Sequence, residues 1–385
     1  MTIVFEQEKN LPKEQPKPEE GKIVFIPETV EPEVKENDTD DIPPVKKKRR
    51  RLPTIQETEK FILDTVKGQD EQVRSIVTAA YRSIKFDNIK SKVLIIGKSG
   101  TGKTEIMRQL AKKLGRVFVT EDANEFTQEG YYGRDVSEIV MDLLQEANND
   151  IEEAQKGIVF IDEIDKKAGC ATETRDVSGR GVLNSLLKLV EGKVMKVPAP
   201  LDGWENGPET YDFDTSKLII FFAGAFDGID AIAKKRTHSS TLGFSANSSD
   251  GTKNAKSTLK YTKEDLIEYG FPEEFVGRID TIVQMNELSE SVLVQILETS
   301  KASAIKSYEK ALKKYKIVLK YDKSLLEDIA KKAASRHTGA RELMNVVNYI
   351  FDRILYEVMS VKKGQYKECI LLDGVVEDNT KFILR

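Results

Sequence analysis

One octapeptide constrains this chain more than any other feature. Gly97-Lys98-Ser99-Gly100-Thr101-Gly102-Lys103-Thr104 fits G-x-x-x-x-G-K-[ST]. An apolar run, Val93-Leu94-Ile95-Ile96, stands directly before it, and Ile106, Leu110 and Leu114 recur at helical spacing directly after it. A strand, a glycine-rich turn and a helix in that order make a phosphate cradle. The glycines let backbone N–H groups turn inward, and the helix N-terminus adds its dipole. Lys103 carries a full charge to the β- and γ-phosphates, and Thr104 offers a hydroxyl to Mg²⁺. An ordinary glycine turn can share these letters, so the match needs a second element.

That element is Ile158-Val159-Phe160-Ile161-Asp162-Glu163, an apolar strand ending in two carboxylates. Unpaired acids at the end of a buried strand are costly, which calls for a reason to keep them. Asp162 is placed to hold the Mg²⁺ shell, and Glu163 to orient and polarise an attacking water as general base. ATP and Mg²⁺ are the expected ligands, with Gly97 to Thr104 and Asp162 around them.

Val117-Phe118-Val119 and Leu218-Ile219-Ile220-Phe221-Phe222 are further short runs rich in β-branched and aromatic residues, as buried parallel strands are. An amphipathic stretch with Val182, Leu186, Leu189 and Val190 lies between strands. The alternation predicts an α/β fold with a doubly wound parallel sheet over residues 53–288. From 289 to 385 the pattern turns mainly helical, with stripes at Leu293, Ile296, Leu297 and at Leu325, Leu326, Ile329. Strand-like Ile317-Val318-Leu319 and Ile370-Leu371-Leu372 complete a smaller α+β lid domain.

Residues 1–52 are rich in Pro, Glu, Lys and Asp and read as a disordered charged tail. Two apolar islands, Ile3-Val4-Phe5 and Ile23-Val24-Phe25, read as docking motifs or as chance similarity. The run Lys46-Lys47-Lys48-Arg49-Arg50-Arg51 is either a solvated linker or a nucleic-acid patch, and the lack of interleaved aromatics favours the linker. With 60 basic and 64 acidic residues along the chain, no global field points to nucleic acid or membrane. No stretch has the length of a bilayer span or the pattern of a signal peptide, and a cytoplasmic protein is expected. Cys170 and Cys369 lack metal-ligand spacing.

Beyond the two nucleotide motifs, further stretches carry a family resemblance. They are Val66-Lys67-Gly68-Gln69, Gly130-Tyr131-Tyr132-Gly133-Arg134-Asp135-Val136, Arg175-Asp176-Val177-Ser178-Gly179, Leu187-Lys188-Leu189-Val190-Glu191-Gly192, Gly224-Ala225-Phe226, Phe275-Val276-Gly277-Arg278 and Thr338-Gly339-Ala340-Arg341. From about Leu52 to its end the chain resembles the ClpX family of AAA+ unfoldases, which feed proteins to a barrel-shaped peptidase.

The resemblance implies roles by position. Val66 would contact the adenine, Arg278 would be a finger reaching a neighbouring subunit's ATP, and Arg341 would report nucleotide state to the small domain. A finger acting in trans needs an oligomer, and the family implies a homohexameric ring. Tyr131, with Tyr132 beside it, would line the central pore and grip protein substrates. There an aromatic ring between flexible glycines can hold a moving chain without demanding a sequence. Leu242-Gly243-Phe244, in a polar loop from Thr237 to Lys256, would dock a ClpP-type peptidase.

Departures from the family narrow the expectation. The family commonly carries an N-terminal four-cysteine zinc domain, and with no cysteine before Cys170 substrate delivery through such a domain is not expected. The stretch Ala199-Pro200-Leu201-Asp202-Gly203-Trp204-Glu205-Asn206-Gly207 is acidic where the family carries an Arg-Lys-His pore-mouth loop, and Arg180 stands where an acid is usual. A stand-alone remodelling chaperone is the alternative, against which the Leu242 tripeptide argues. A nucleic-acid motor is a third class, disfavoured by tyrosines where phosphate-tracking residues would be basic.

Overall fold

The computed structural model describes residues 51–86, 89–126, 134–169, 177–198, 210–241, 259–336 and 339–385. The strands of the first part are β1 (Lys92–Ile96), β2 (Phe118–Asp122), β3 (Ile158–Asp162), β4 (Val194–Pro198), β5 (Thr210–Asp214), β6 (Ile219–Gly224) and β7 (Thr281–Gln284). Around them run α1 (Ile55–Leu63), α2 (Asp70–Lys85), α3 (Lys103–Leu114), α4 (Ser137–Glu146), α5 (Ile151–Gln155), α6 (Val177–Val190), α7 (Ile229–Thr241), α8 (Lys263–Tyr269) and α9 (Glu273–Arg278).

The apolar runs are continuous because both faces of one parallel sheet are covered. Its order is β2-β3-β6-β1-β7, and every pairing within it is parallel. Alternate residues of each strand serve opposite layers. Val93, Ile95, Phe160 and Phe221 pack with Ile62 of α1, Ile76 of α2 and Leu110 of α3. Leu94, Ile96, Ile161 and Phe222 face the other way, toward Leu143 of α4 and Leu186 of α6. The doubly wound sheet expected from the sequence is therefore present, with β1 near its centre. The hairpin of β4 and β5 stands apart as an antiparallel pair that the apolar pattern did not announce.

The second part holds α10 (Glu290–Thr299), α11 (Ala304–Lys314), β8 (Val318–Lys320), α12 (Ser324–Ser335), α13 (Ala340–Met359), β9 (Glu368–Leu371) and β10 (Phe382–Leu384). Its own core gathers Leu293, Leu326, Ile329, Val347, Phe351 and Ile354. Tyr308 stacks on Phe351 with centroids 4.3 Å apart and rings 10° from parallel. Both apolar stripes read from the sequence thus point inward. The strands β8 and β9 are parallel and β9 and β10 antiparallel. Ile317 is buried just before β8, and Leu372 stands exposed just after β9. The third strand, β10, is three residues long, too short for a period-2 signal.

Gln69 Nε2 donates to Asn286 O at 2.9 Å while Asn286 N donates to Gln69 Oε1 at 3.0 Å, which fixes the chain just after β7. A few hydrogen bonds tie the two parts, and in one Lys301 Nζ donates to Asp64 Oδ2 at 2.7 Å. Ser300 Oγ donates to Thr65 O at 2.6 Å. Among the described residues no helix is long and apolar enough to cross a membrane.

Candidate nucleotide site

In an open α/β sheet the crevice lies outside the carboxyl ends of the strands. Gly97 follows β1 at that edge and donates its N–H to Gly224 O, at the end of neighbouring β6, at 3.0 Å. The loop turns through Gly100 and Gly102, at φ 76° and 98°, values that side-chain-bearing residues rarely adopt. Gly102 is the residue preceding α3, and no side chain caps that helix. Its first N–H groups therefore face the loop with the positive end of the dipole behind them.

Lys103 is 8% exposed and folds back so that Nζ donates to Gly97 O at 2.6 Å and Lys98 O at 3.2 Å. Burial draws its pKa down, and the Asp162, Asp165 and Glu163 carboxylates oppose that. Thr104 Oγ1 lies 3.4 Å from Asp162 Oδ2, which joins the two sequence motifs. Ser99, Gly100, Lys103, Thr104, Asp162, Glu163 and Arg341 all line one cavity of about 540 Å³.

Glu163 adopts φ 56°, a left-handed backbone that costs a non-glycine residue on the order of 1 kcal/mol and is characteristic of functional turns. Its Oε2 accepts a hydrogen bond from Asn124 Nδ2 at 2.5 Å. Asn124 was not read from the sequence, because it belongs to a short 3₁₀ turn after β2 with no motif of its own. The parallel register sets it there, since Asp122 pairs with Asp162 across β2 and β3.

Asp165 was missed too. It is 5% exposed, and its Oδ2 accepts from Phe226 N at 3.2 Å, holding the turn after β6 where Phe226 sits at φ 55°.

Val66 is buried and lines an adjoining apolar pocket with Leu288, Ile296, Leu297 and Leu343, residues drawn from both parts of the fold. Arg341 opens α13, whose Ala340 N–H bonds directly to Gly100 O of the phosphate loop at 3.0 Å. The second part therefore touches the loop itself. Lys98, at the rim, pairs with Glu287 at 2.5 Å, which raises its pKa.

Arg278 does not join this cavity. It ends α9, just before β7, and the next residue but one, Asp280, donates its N–H to Lys92 O at the start of β1. The phosphate loop leaves the other end of β1. Arg278 Nη2 instead donates to Glu191 Oε1 at 3.1 Å.

Tyr131 and Tyr132 lie outside the described residues, as do Leu242, Gly243 and Phe244. The residue that follows the tyrosine stretch is described. Arg134 bridges to Phe126 and pairs with Glu121 at 2.6 Å, Glu138 at 3.2 Å, Glu125 at 3.5 Å and also with Asp142.

Comparison with known proteins agrees with this geometry. The family described as AAA domain (Cdc48 subfamily) matches residues 88–282, and the C-terminal, D2-small domain, of ClpB protein matches residues 288–368. The ATP-dependent Clp protease ATP-binding subunit ClpX of Borrelia duttonii is 34% identical over 357 residues, covering 89% of this chain and 82% of the relative. The protein of the same name from Treponema denticola is 35% identical over 326 residues, covering 81% and 79%. On this likeness, and on a phosphate loop, paired acids and lid arginine converging on one cavity, the chain belongs to the AAA ATPases of the ClpX family.

Proposed function

We propose that the chain is an ATP-driven protein unfoldase and translocase, working as a homohexameric ring in the cytoplasm and passing substrates to a ClpP-type peptidase. The observation that supports the reading is that the residues proposed for catalysis stand at two edges of one sheet. Lys103, Asp162, Glu163 and Arg341 gather at the carboxyl ends, whereas Arg278 sits by the amino end of β1. A cation so placed can complete only another copy's site, which calls for a closed head-to-tail assembly.

Within a site, each residue's part follows from its chemistry. The loop N–H groups and Lys103 bind the phosphates, and Val66 packs against the base in the apolar pocket. Glu163 accepts a proton from the attacking water once released from Asn124. Thr104 and Asp162 would hold Mg²⁺, and their hard oxygens fit an ion that takes few carboxylates and completes its shell with water and phosphate. Bound there, the ion would neutralise charge building on the phosphates. Arg341, on α13, makes the angle between residues 53–288 and 289–385 responsive to the nucleotide. Tyr131 and Tyr132 would convert that swing into a pull on the substrate, and Leu242-Gly243-Phe244 would seat the peptidase.

The test is loss of fluorescence from a tagged, stably folded reporter with ATP, with and without a ClpP-type peptidase. Wild type should unfold it and degrade it only with peptidase. Glu163→Gln should bind ATP without hydrolysis, and Tyr131→Ala should hydrolyse ATP without unfolding. Hydrolysis with no unfolding of any tagged reporter would overturn the unfoldase reading.

A further inference from the structure

The stretch Leu187 to Gly192 has been given no part in the chemistry, yet its last side chain makes the contact that holds Arg278. Glu191 follows α6 and keeps the helical hydrogen bond, its N–H donating to Leu187 O at 2.9 Å. Gly192 then turns the chain at φ 73°, where a Cβ would press on Ser216 Cα at 3.2 Å. The carboxylate thus projects from a backbone fixed on both sides. Its Oε2 is held by Lys193 Nζ at 2.5 Å and its Oε1 accepts from Arg278 Nη2 at 3.1 Å. These contacts, Lys193 first, keep its pKa below the usual carboxylate range.

Arg278 leaves a six-residue helix, α9, on a long side chain that is 51% exposed. An arginine in that setting loses rotamer entropy when a ligand fixes it. Of the five guanidinium N–H donors, the Glu191 contact engages the Nη2 end alone, at a single oxygen. Among the described residues the guanidinium makes no further ion pair, and its side chain is half-exposed.

We infer that Glu191 is a positioning residue for the arginine finger: it pre-orients the Arg278 guanidinium for the phosphates bound in the neighbouring subunit. The inference rests on the trans role proposed for Arg278. Lys193 steadies the carboxylate, the carboxylate steadies the guanidinium, and the guanidinium meets the nucleotide already aligned. Because Glu191 does not line the nucleotide cavity, its removal should act on turnover rather than on binding.

The experiment compares full-length wild type, Glu191→Ala, Glu191→Gln, Arg278→Ala and the Glu191→Ala/Arg278→Ala double variant. It measures kcat and KM for ATP, binding of a fluorescent ATP analogue, and assembly by sedimentation. Glu191→Ala should lower kcat about tenfold with KM and assembly within about twofold of wild type, which matches most of the ordering entropy. Glu191→Gln, which keeps an acceptor for Nη2, should recover at least half of the loss on a logarithmic scale. In the double variant the Glu191 effect should vanish, since no guanidinium remains to orient. If Arg278→Ala keeps wild-type turnover, the trans-finger reading itself fails. If Arg278→Ala is inactive while Glu191→Ala keeps wild-type kcat, or if Glu191→Ala impairs assembly and Glu191→Gln does not restore kcat, the positioning role is overturned and the finger stands.

Discussion

Mixing two inactive variants should restore ATP hydrolysis if Arg278 serves the neighbouring site, and random mixing of subunits sets how much. Arg278 lies beside the start of β1 and the phosphate loop beyond its end. The five-residue strand between them spans about 17 Å, farther than an arginine side chain extends. Arg278 therefore cannot reach the nucleotide cavity of its own subunit. In Arg278→Ala every subunit keeps Glu163 and lacks the finger, and in Glu163→Gln the reverse holds. Removing such a finger costs on the order of 10³-fold in turnover or more, so each variant alone should be silent. In rings formed by random mixing at equal amounts, about a quarter of subunit junctions pair an intact Glu163 with an intact Arg278. With independent sites, the mixture should recover about a quarter of wild-type steady-state hydrolysis, measured by phosphate release after subunit exchange. Recovery no greater than the sum of the separate variants, with mixed rings demonstrated by differential labelling, would refute the two-edge argument.

Four further outcomes follow from particular contacts. The Glu121 carboxyl, buried beside β3 and sharing Arg134 with Asp142, is pushed up by burial to about 7 from 4.5. The folded state then binds the extra proton, so this contribution to stability is complete below about pH 4.5 and is lost as pH rises to about 7. The slope is at most about 1.4 kcal/mol per pH unit, and Glu121→Gln should flatten it in urea titrations. Gly224→Ala would place a Cβ 2.4 Å from Asp165 Oδ1 and 2.8 Å from Phe226 Cε2, so destabilisation of about 1–3 kcal/mol and weaker nucleotide binding are expected by denaturation and fluorescence titration. Phe351→Ala removes the ring stacked on Tyr308 in the lid core and should cost about 3–5 kcal/mol, seen as a lower denaturation midpoint. Thr104→Ala should raise the Mg²⁺ concentration required for half-maximal hydrolysis by about tenfold while leaving metal-free nucleotide binding intact, and chelation should stop wild-type turnover.

The candidate site divides into a legible half and an illegible one. Gly97 to Thr104 could be read because a phosphate loop is one unbroken piece of chain whose glycines and lysine act at fixed offsets. Asp162 and Glu163 could be read because an apolar strand that ends in acids is anomalous on its own. The continuous runs of β1, β3 and β6 reported a sheet covered on both faces, and the stripes of α10 and α12 reported a second core. Asn124 and Asp165 had no such signature, since each is an ordinary polar residue in a short turn. They matter only because β2, β3 and β6 end side by side. The hairpin of β4 and β5 and the three-residue β10 escaped notice because neither carries a long apolar run.

By itself, the sequence determined that the chain binds a nucleoside triphosphate, on a doubly wound sheet followed by a smaller helical lid. Local order was enough, as loop geometry and side-chain alternation depend on near neighbours along the chain. Tertiary structure alone decided which distant residues share that site. The strand order β2-β3-β6-β1-β7 brings Asn124 to Glu163, and the bond from Ala340 N to Gly100 O brings Arg341 to Lys103. The same order sends Arg278 to the far edge, against Glu191. Arg341 thus lines the nucleotide cavity and Arg278 stands away from it, because a strand's two ends are separated by its length and its neighbours are chosen by crossovers that no local pattern encodes.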